Sequence, residues 1–220
     1  MTIGVYFITL PQLVEGQRET YRQLAGKLIR SIRRAMPTVE VVQLTDAVTP
    51  VFPGMDTCWR HPRNEPMMLH RLTRYAMCQG EWLFLDIDIL VFKDVSPVFT
   101  QDFDIAIADR SGVIMESEVR RGWLPTMPHN AGVIFSRSPA FWHAAHQECQ
   151  LLPVPQHEWM GDQVAINTVI QRGEFKVLVL PGTEYNYAPK SQFSDEDVIG
   201  RAIVHYKGGQ RKCLMLATDI

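Results

Sequence analysis

Short apolar runs alternate with longer amphipathic stretches along most of this sequence, and the two kinds of segment predict strands and helices in turn. Continuous apolar runs predict buried strands at residues 3–9, 39–44, 104–109, 130–136, 175–180 and 202–206. Apolar residues spaced by three and four predict helices at 16–36, 65–79, 139–152 and 162–172. The opening strand–helix–strand order favours a right-handed crossover. It therefore predicts an α/β fold with a mostly parallel central sheet flanked by helices.

The most apolar run, EWLFLDIDILVF at residues 81–92, is predicted to be one central strand buried on both faces. Asp86 and Asp88 lie inside it, and side chains two residues apart on a strand share a face. Two carboxylates so placed would repel and lose hydration unless a cation binds them. A divalent ion that prefers oxygen ligands, Mg²⁺ or Mn²⁺, shared with a diphosphate, meets this need. The alternative is a strand that ends at Leu85, with the two carboxylates in a solvated turn.

Proline marks the longest predicted loop, at residues 49–66, and loops of this length inside a domain are often functional. The first strand is not followed by G-x-G-x-x-G, so the sequence gives no support for a dinucleotide-binding site. The loops at 49–66 and 111–129 match no motif, and we expect them to contact an acceptor molecule if the protein is a transferase.

Composition places the chain among ordinary globular proteins. Its 220 residues are 46% hydrophobic and 21% charged, which allows a sizeable core, and we expect one domain over 1–220. The net charge of -2 gives no support for a general nucleic-acid surface or an anionic-membrane patch. No apolar run predicts a transmembrane span, and the first residues do not resemble a signal peptide. The four cysteines are far apart in sequence, which favours reduced thiols in a cytoplasmic protein.

Four segments together resemble a known family. They are FLDIDILV at 84–91, HNAGVIFSRSPAFW at 129–142, GDQVAIN at 161–167 and VHYKGGQRK at 204–212. In the same order they are similar to motifs of the nucleotide-sugar-dependent glycosyltransferases of the GT-A fold, and most of all to glycosyltransferase family 8. Each motif alone is weak, whereas four in order over most of the chain are much stronger.

The resemblance implies a metal-dependent glycosyltransferase of the hexosyltransferase class. The donor would be a nucleoside-diphosphate sugar, expected to be UDP-linked, and the reaction would retain configuration. The acceptor stays open between a saccharide, a lipid-linked glycan, a protein and a modified nucleobase.

The resemblance also implies a role for individual residues. Asp86, Asp88 and His205 would hold Mn²⁺ or Mg²⁺. Asp162 would bond sugar hydroxyls, and Gln163 would lie near the reacting carbon. Donor contacts are implied for Thr9, Arg71 or Arg74, Asn130, Ala131, Gly132, Gly208, and Arg211 or Lys212. The family usually has Lys six residues beyond the His, where this chain has Arg211 followed by Lys212, so the cation that reaches the phosphate stays open.

Other interpretations stay open at this point. Asp162 suits the N-terminal cap of a helix as well as a sugar site. A sugar-nucleotide or glycan-binding module without turnover is the non-enzymatic alternative. A haloacid-dehalogenase-type phosphatase also carries D-x-D after an apolar strand. That family places the motif near the start of the chain with Thr two residues beyond it, whereas this chain has Leu90 there.

Overall fold

A computed structural model of the chain describes residues 1–110, 127–189 and 198–220. Its strands are β1 (Thr2–Tyr6), β2 (Glu40–Thr45), β3 (Thr57–Arg60), β4 (Trp82–Leu85), β5 (Ile89–Val91), β6 (Ile105–Asp109), β7 (His129–Ser136), β8 (Val177–Leu180) and β9 (Ile203–His205). Seven of them form one sheet in the order β3-β2-β1-β4-β7-β6-β8, and β5 pairs with β9 in a second, two-stranded sheet.

The helices in the described ranges are α1 (Glu15–Ala35), α2 (Met67–Ala76), α3 (Pro139–Gln150), α4 (Val154–Glu158), α5 (Gly161–Arg172), α6 (Gly182–Tyr185) and α7 (Gly209–Ala217). A 3₁₀ helix spans Ser96–Thr100. None of these helices is long and apolar enough to cross a membrane.

The centre of the large sheet is buried on both faces because its side chains alternate between two apolar cores. In β4, Leu83 and Leu85 join the core under α1, whereas Trp82 and Phe84 join the core under α2, α3 and α5. Four of the six strand pairings in this sheet are parallel, and β7 runs antiparallel to both neighbours. The prediction of an α/β fold with a mostly parallel central sheet is confirmed.

The prediction of one strand over residues 81–92 is wrong. β4 ends at Leu85, the chain turns at Ile87 and Asp88, and β5 leaves the large sheet to pair with β9. β5 is nevertheless fully buried, and its Val91 N–H donates to Ser31 Oγ of α1 at 3.0 Å. An apolar pattern that looks like one doubly buried strand therefore comes from two short strands in different sheets.

Two further boundaries differ from the sequence prediction. The first strand ends at Tyr6 rather than at residue 9. The predicted loop at 49–66 contains β3, a parallel edge strand that pairs with β2 from Val42↔Thr57 to Thr45↔Arg60. Short exposed strands between prolines carry little apolar pattern, so periodicity did not reveal β3.

Candidate active site

A cleft of about 280 Å³ opens at the carboxyl ends of β1 and β4, which are parallel neighbours and end at the same edge of the sheet. Its charged and polar lining consists of Arg71, Asp86, Asp88, Asp162, Gln163 and Lys212. The rest of the lining is largely apolar or aromatic and includes Leu10, Met68 and Trp159. Ligand sites in open α/β sheets form at this edge, where the chain leaves the strands.

Three ligand-type side chains converge in the cleft wall. Asp86 and Asp88 follow β4, and His205 is the last residue of β9, held opposite Ile89 by the β5–β9 pairing. His205 Nε2 lies 3.2 Å from Asp88 Oδ1 and 3.7 Å from Asp86 Oδ2. The ligand atoms of the three residues lie within 4.8 Å of one another, and no other such group occurs in the described ranges. The antiparallel pair of short strands is what brings a distant His to the two carboxylates.

This donor set suits a hard divalent cation, since two carboxylates and one imidazole match the ligands of Mg²⁺ and Mn²⁺. Asp88 also accepts a 2.7 Å hydrogen bond from Lys212 Nζ. Burial by itself would raise the pKa of Asp88, but His205 and Lys212 outweigh it and hold that pKa well below its usual range. Burial would lower the pKa of Lys212, but Asp88 keeps it above its ordinary value. Asp88 is therefore ionised at neutral pH, as a metal ligand must be.

Arg71 of α2 lies between Asp86 and Asp162 and donates hydrogen bonds to both carboxylates. One terminal nitrogen donates to Asp86 Oδ1 at 2.8 Å and to the Ala131 carbonyl at 3.0 Å, and the other donates to Asp162 Oδ2 at 3.1 Å. Its Nε donates to Tyr75 Oη at 2.9 Å. Burial raises the pKa of Asp162, and Arg71 reverses only part of that rise. The Arg71 guanidinium is thus held by several partners and bridges the carboxylates of Asp86 and Asp162.

A strained turn aims α5 at the cleft. Met160 has φ 67° in the left-handed region, where a non-glycine residue is uncommon, and α5 begins at the next residue, Gly161. A Cβ on Gly161 would lie 2.4 Å from the Gln156 carbonyl oxygen, so only glycine fits. Asp162 is in the first turn of α5 rather than at the N-cap, and its Oδ1 accepts from the Gln163 N–H at 2.8 Å, so it satisfies one amide of that turn while it lines the cleft. Gln163 Oε1 accepts from Arg110 at 2.7 Å.

Comparison with known proteins identifies the architecture. No protein-family model matches the sequence, and no curated protein matches it. The glycosyltransferase GlyE of Streptococcus pneumoniae TIGR4 superposes with a TM-score of 0.61 at 14% identity, over 99% of this chain and 60% of that one. The bifunctional glycosyltransferase WbbM gives 0.62 at 13%, over 99% of this chain and 49% of that one. The galactosyltransferase LgtC, in complex with donor and acceptor sugar analogs, gives 0.56 at 16%, over 100% of this chain and 97% of that one.

The chain has the GT-A fold. The chain spans about half to three fifths of GlyE and WbbM but nearly all of LgtC. At such low identities the likeness establishes the fold, as the resemblance of the four segments implied. The roles of individual residues rest on the geometry of the cleft.

Within the GT-A fold of this chain, the two arginines left open by the sequence separate clearly. Arg71 lines the cleft, whereas Arg74 does not. One terminal nitrogen of Arg74 donates to the Trp59 carbonyl at 3.1 Å, and the other lies 3.0 Å from Met77 Sδ. Arg74 therefore packs against the edge strand β3, which contains Trp59. Of the two arginines, Arg71 is therefore the one that the structure places in the cleft.

The cations near the end of the chain separate in the same way. Lys212 reaches Asp88. Arg211 instead donates to the carbonyls of Pro189 and Lys207, the latter at 3.2 Å. Gly208, with φ 81°, precedes α7 and lets the chain turn into that helix.

The remaining implied donor residues lie beside or behind the cleft lining. The Thr9 N–H donates to Thr49 Oγ1 at 2.7 Å, and its neighbours Ile8 and Leu10 line the cleft. Asn130, Ala131 and Gly132 lie on β7 and are buried behind the lining. A Cβ on Gly132 would lie 2.3 Å from His205 Cε1, so this glycine makes room for the imidazole. The absence of a side chain at residue 132 thus provides the space that the His205 ring occupies.

Sequence reasoning missed Asn186, Arg110 and Tyr75. Asn186 Oδ1 lies 2.9 Å from His205 Nδ1, and it follows α6 in a segment with no apolar period. Arg110 comes directly after the strand DIAIAD, and a cation at a strand end was the available signal. Of the loops expected to contact an acceptor, residues 111–126 lie outside the described residues.

Proposed function

We propose that this chain is a metal-dependent glycosyltransferase that moves a hexose from a UDP-linked sugar to an acceptor with retention of configuration. The observation that carries the proposal is the convergence of Asp86, Asp88 and His205 beside Arg71 and Asp162 in the cleft of a GT-A fold. LgtC, which shares the fold, was solved with donor and acceptor sugar analogs. Retention and the UDP donor are supported by the resemblance of the four sequence segments.

Asp86, Asp88 and His205, hereafter the trio, have a shared task in this proposal. Asp86, Asp88 and His205 would hold Mn²⁺ or Mg²⁺, and the bound ion would stabilise negative charge on the leaving diphosphate. Lys212 is assigned to the same phosphates, because its ammonium group lies 2.7 Å from Asp88 in the cleft wall, whereas Arg211 bonds to backbone carbonyls.

Asp162 and Gln163 are assigned to the donor sugar. The carboxylate of Asp162 offers acceptors for vicinal hydroxyls, and Arg71 fixes its orientation at 3.1 Å. Gln163 is held by Arg110 and presents an amide where an oxocarbenium-like centre would form. Asp162→Ala should impair both donor binding and turnover. Gln163→Ala should lower kcat with little change in donor binding, because its contact strengthens only in the transition state.

The test is a screen of nucleotide sugars for thermal stabilisation with and without Mn²⁺, followed by an assay for sugar transfer or donor hydrolysis. Wild type should be stabilised by one class of donor only when Mn²⁺ is present. Asp88→Asn should lose that response while the fold survives. Asp94→Asn is the matched control, because Asp94 is exposed and its one bond, to the Ser96 N–H at 2.8 Å, can be kept by an asparagine oxygen.

The same experiment separates the alternatives. Donor binding without turnover under all acceptors would identify a sugar-nucleotide or glycan-binding module. Phosphate release from simple phosphomonoesters with no response to nucleotide sugars would identify a phosphatase instead. Either result would overturn the proposed transfer reaction.

The proposal includes one domain over residues 1–220 and a cytoplasmic location. All four cysteines are free thiols in the structure, and two of them, Cys78 and Cys149, are buried, which agrees with a reducing compartment. Cell fractionation with an antibody against the chain tests the location.

A further inference from the structure

The imidazole of His205 has two nitrogens in different surroundings. Nε2 faces Asp86 and Asp88, at 3.7 and 3.2 Å, and Nδ1 lies 2.9 Å from Asn186 Oδ1. A neutral imidazole carries a proton on one nitrogen and a lone pair on the other. The ring can ligate a cation between the carboxylates only when the lone pair is on Nε2. Whatever fixes the tautomer of His205 therefore fixes whether the trio is complete.

A chain of hydrogen bonds fixes that tautomer, and its direction follows from a backbone amide. The Gly132 N–H can only donate, and it donates to Asn130 at 3.0 Å, so the Asn130 atom there is the oxygen Oδ1. That oxygen lies 2.9 Å from the Asn186 amide, which must present its Nδ2 donor. The other end of the Asn186 amide is then Oδ1, an acceptor. It faces His205 Nδ1, which must carry the proton.

A second anchor gives the same direction independently. The Arg110 guanidinium has donors only, and it donates to Gln163 at 2.7 Å, so that Gln163 atom is the oxygen Oε1. The same oxygen lies 3.4 Å from the Asn130 amide, which must present Nδ2 on this side. The other end of Asn130 is then its oxygen, as the Gly132 amide requires. Gly132 and Arg110 therefore lead independently to the same orientation of the Asn130 amide.

Burial makes this direction hard to reverse. Asn130, Asn186 and His205 are 6, 4 and 3% exposed. Water therefore has little access to supply replacement partners, and a flipped amide would place two donors or two acceptors face to face. The ring also has little room to move toward β7. It lies so close to Gly132 that a Cβ built on this glycine would be 2.3 Å from His205 Cε1.

We propose that Asn186 is a positioning residue that holds His205 as the Nδ1–H tautomer and thereby points the Nε2 lone pair at Asp86 and Asp88. The proposal deepens the proposed metal site and rests on it for its purpose, but the hydrogen bond from His205 Nδ1–H to Asn186 Oδ1 is already present in the metal-free chain. Through Asn130 the same hydrogen bonds also connect His205 to Gln163, which is assigned to the donor sugar. The proposed metal ligands and the proposed sugar site therefore belong to one hydrogen-bond network.

The first test reads the tautomer in wild type. Long-range ¹H–¹⁵N correlation spectra of protein labelled in its seven histidines report which ring nitrogen is protonated in each neutral imidazole. The signals of His205 are those that disappear in His205→Gln. We expect Nδ1 of His205 to be protonated, both without a cation and with saturating Mg²⁺. A His205 Nδ1 that carries no proton, with or without the cation, would overturn the proposal.

The second test compares two replacements of Asn186. Asn186→Leu keeps a similar volume but removes the acceptor for Nδ1–H. Asn186→Asp keeps that acceptor and replaces the donor that faces Asn130 Oδ1. Loss of a residue that hydrogen-bonds to a metal-ligating histidine typically costs about 10–100-fold in metal affinity. We therefore expect Asn186→Leu to bind Mn²⁺ at least about tenfold more weakly than wild type, measured from the electron paramagnetic resonance signal of free Mn²⁺. We expect Asn186→Asp to bind within a few-fold of wild type or more tightly.

The pattern of outcomes separates this proposal from the proposed function. Equal Mn²⁺ affinity for Asn186→Leu and wild type refutes the positioning role. Equal weakening by Leu and Asp also refutes it, because a purely structural role would not distinguish them. If wild type binds no Mn²⁺, the proposed function fails, and the His205 tautomer still decides the role of Asn186. Thermal unfolding of each variant confirms that the comparison is made on folded protein.

Discussion

The most direct test of the site geometry is to add one methyl group to Gly132. The Cβ of an alanine at this position would lie 2.3 Å from His205 Cε1 and 2.6 Å from Nδ1. The third close atom is Asn130 Oδ1, at 2.9 Å, which belongs to the network that orients the ring. Among the side chains of the three proposed metal ligands, the added methyl group meets that of His205. Asp86 contacts Gly132 through the backbone, since its N–H donates to the Gly132 carbonyl at 2.9 Å.

The size of the effect follows from contact distances. Carbon atoms pack at about 3.5–4.0 Å, so the ring must retreat by roughly 1 Å or more. Metal–ligand distances are tolerated within about 0.2 Å, and His205 would therefore cease to be a ligand. We expect Mn²⁺ affinity to fall at least about tenfold, as when the support of a metal ligand is lost. Overpacking of this kind costs about 1–3 kcal/mol of the free energy of unfolding, so the protein should remain folded.

The assay is a Mn²⁺ titration by electron paramagnetic resonance, with urea denaturation of the same samples. Gly209→Ala is the matched control. It adds the same methyl group near Lys212 of the cleft, but a Cβ at residue 209 meets nothing within 4 Å and the φ of Gly209 is not positive. The control should bind Mn²⁺ as wild type does. Wild-type Mn²⁺ affinity in Gly132→Ala would show that His205 is not a ligand or that its ring is not held against this strand.

Three further predictions concern other contacts. Arg71→Met should lower the free energy of unfolding by about 3–5 kcal/mol in urea, because Asp162 is left buried without its counter-charge, and adding Asp162→Leu should recover much of the loss. Gly173→Ala should cost about 1 kcal/mol in the same assay, since φ is 70° and a Cβ there meets open space. The hydrogen bond from Arg33 holds the pKa of Asp56 below its ordinary 3.8. The ionised carboxylate therefore stabilises the folded state above pH 3.8, and this contribution is lost as the pH falls through the folded-state pKa. In Asp56→Asn the free energy of unfolding should decrease less steeply with falling pH over that range.

The four longest helices, α1, α2, α3 and α5, and most strands were predictable because their apolar spacing is a local property, whereas α4, α6 and α7 were not predicted. The run at 81–92 was misjudged for a physical reason: burial on both faces gives the same apolar pattern in one long strand as in β4 followed by β5. Which sheet a strand joins depends on its partner, and β9 lies far along the chain.

The site was predictable where a motif marks the chemistry and unpredictable where partners are distant. Asp86, Asp88 and His205 were selected from motifs, and the structure brings them together. Arg71 and Arg74 are the same residue type on one helix, and only the packing of that helix shows which one lines the cleft. Asn186 gave no signal, because an isolated asparagine after an irregular turn is indistinguishable from many surface asparagines.

The pairing of β5 with β9 has a consequence for how the protein matures. The two strands are adjacent in space but separated by more than half of the chain, so their contact closes one of the longest loops in the fold. During translation Asp86 and Asp88 leave the ribosome long before β9 and His205 do. A nascent chain can thus form β1, β2 and β4 without yet being able to assemble the trio. Binding of a divalent cation through all three residues would then distinguish finished molecules from partly folded ones.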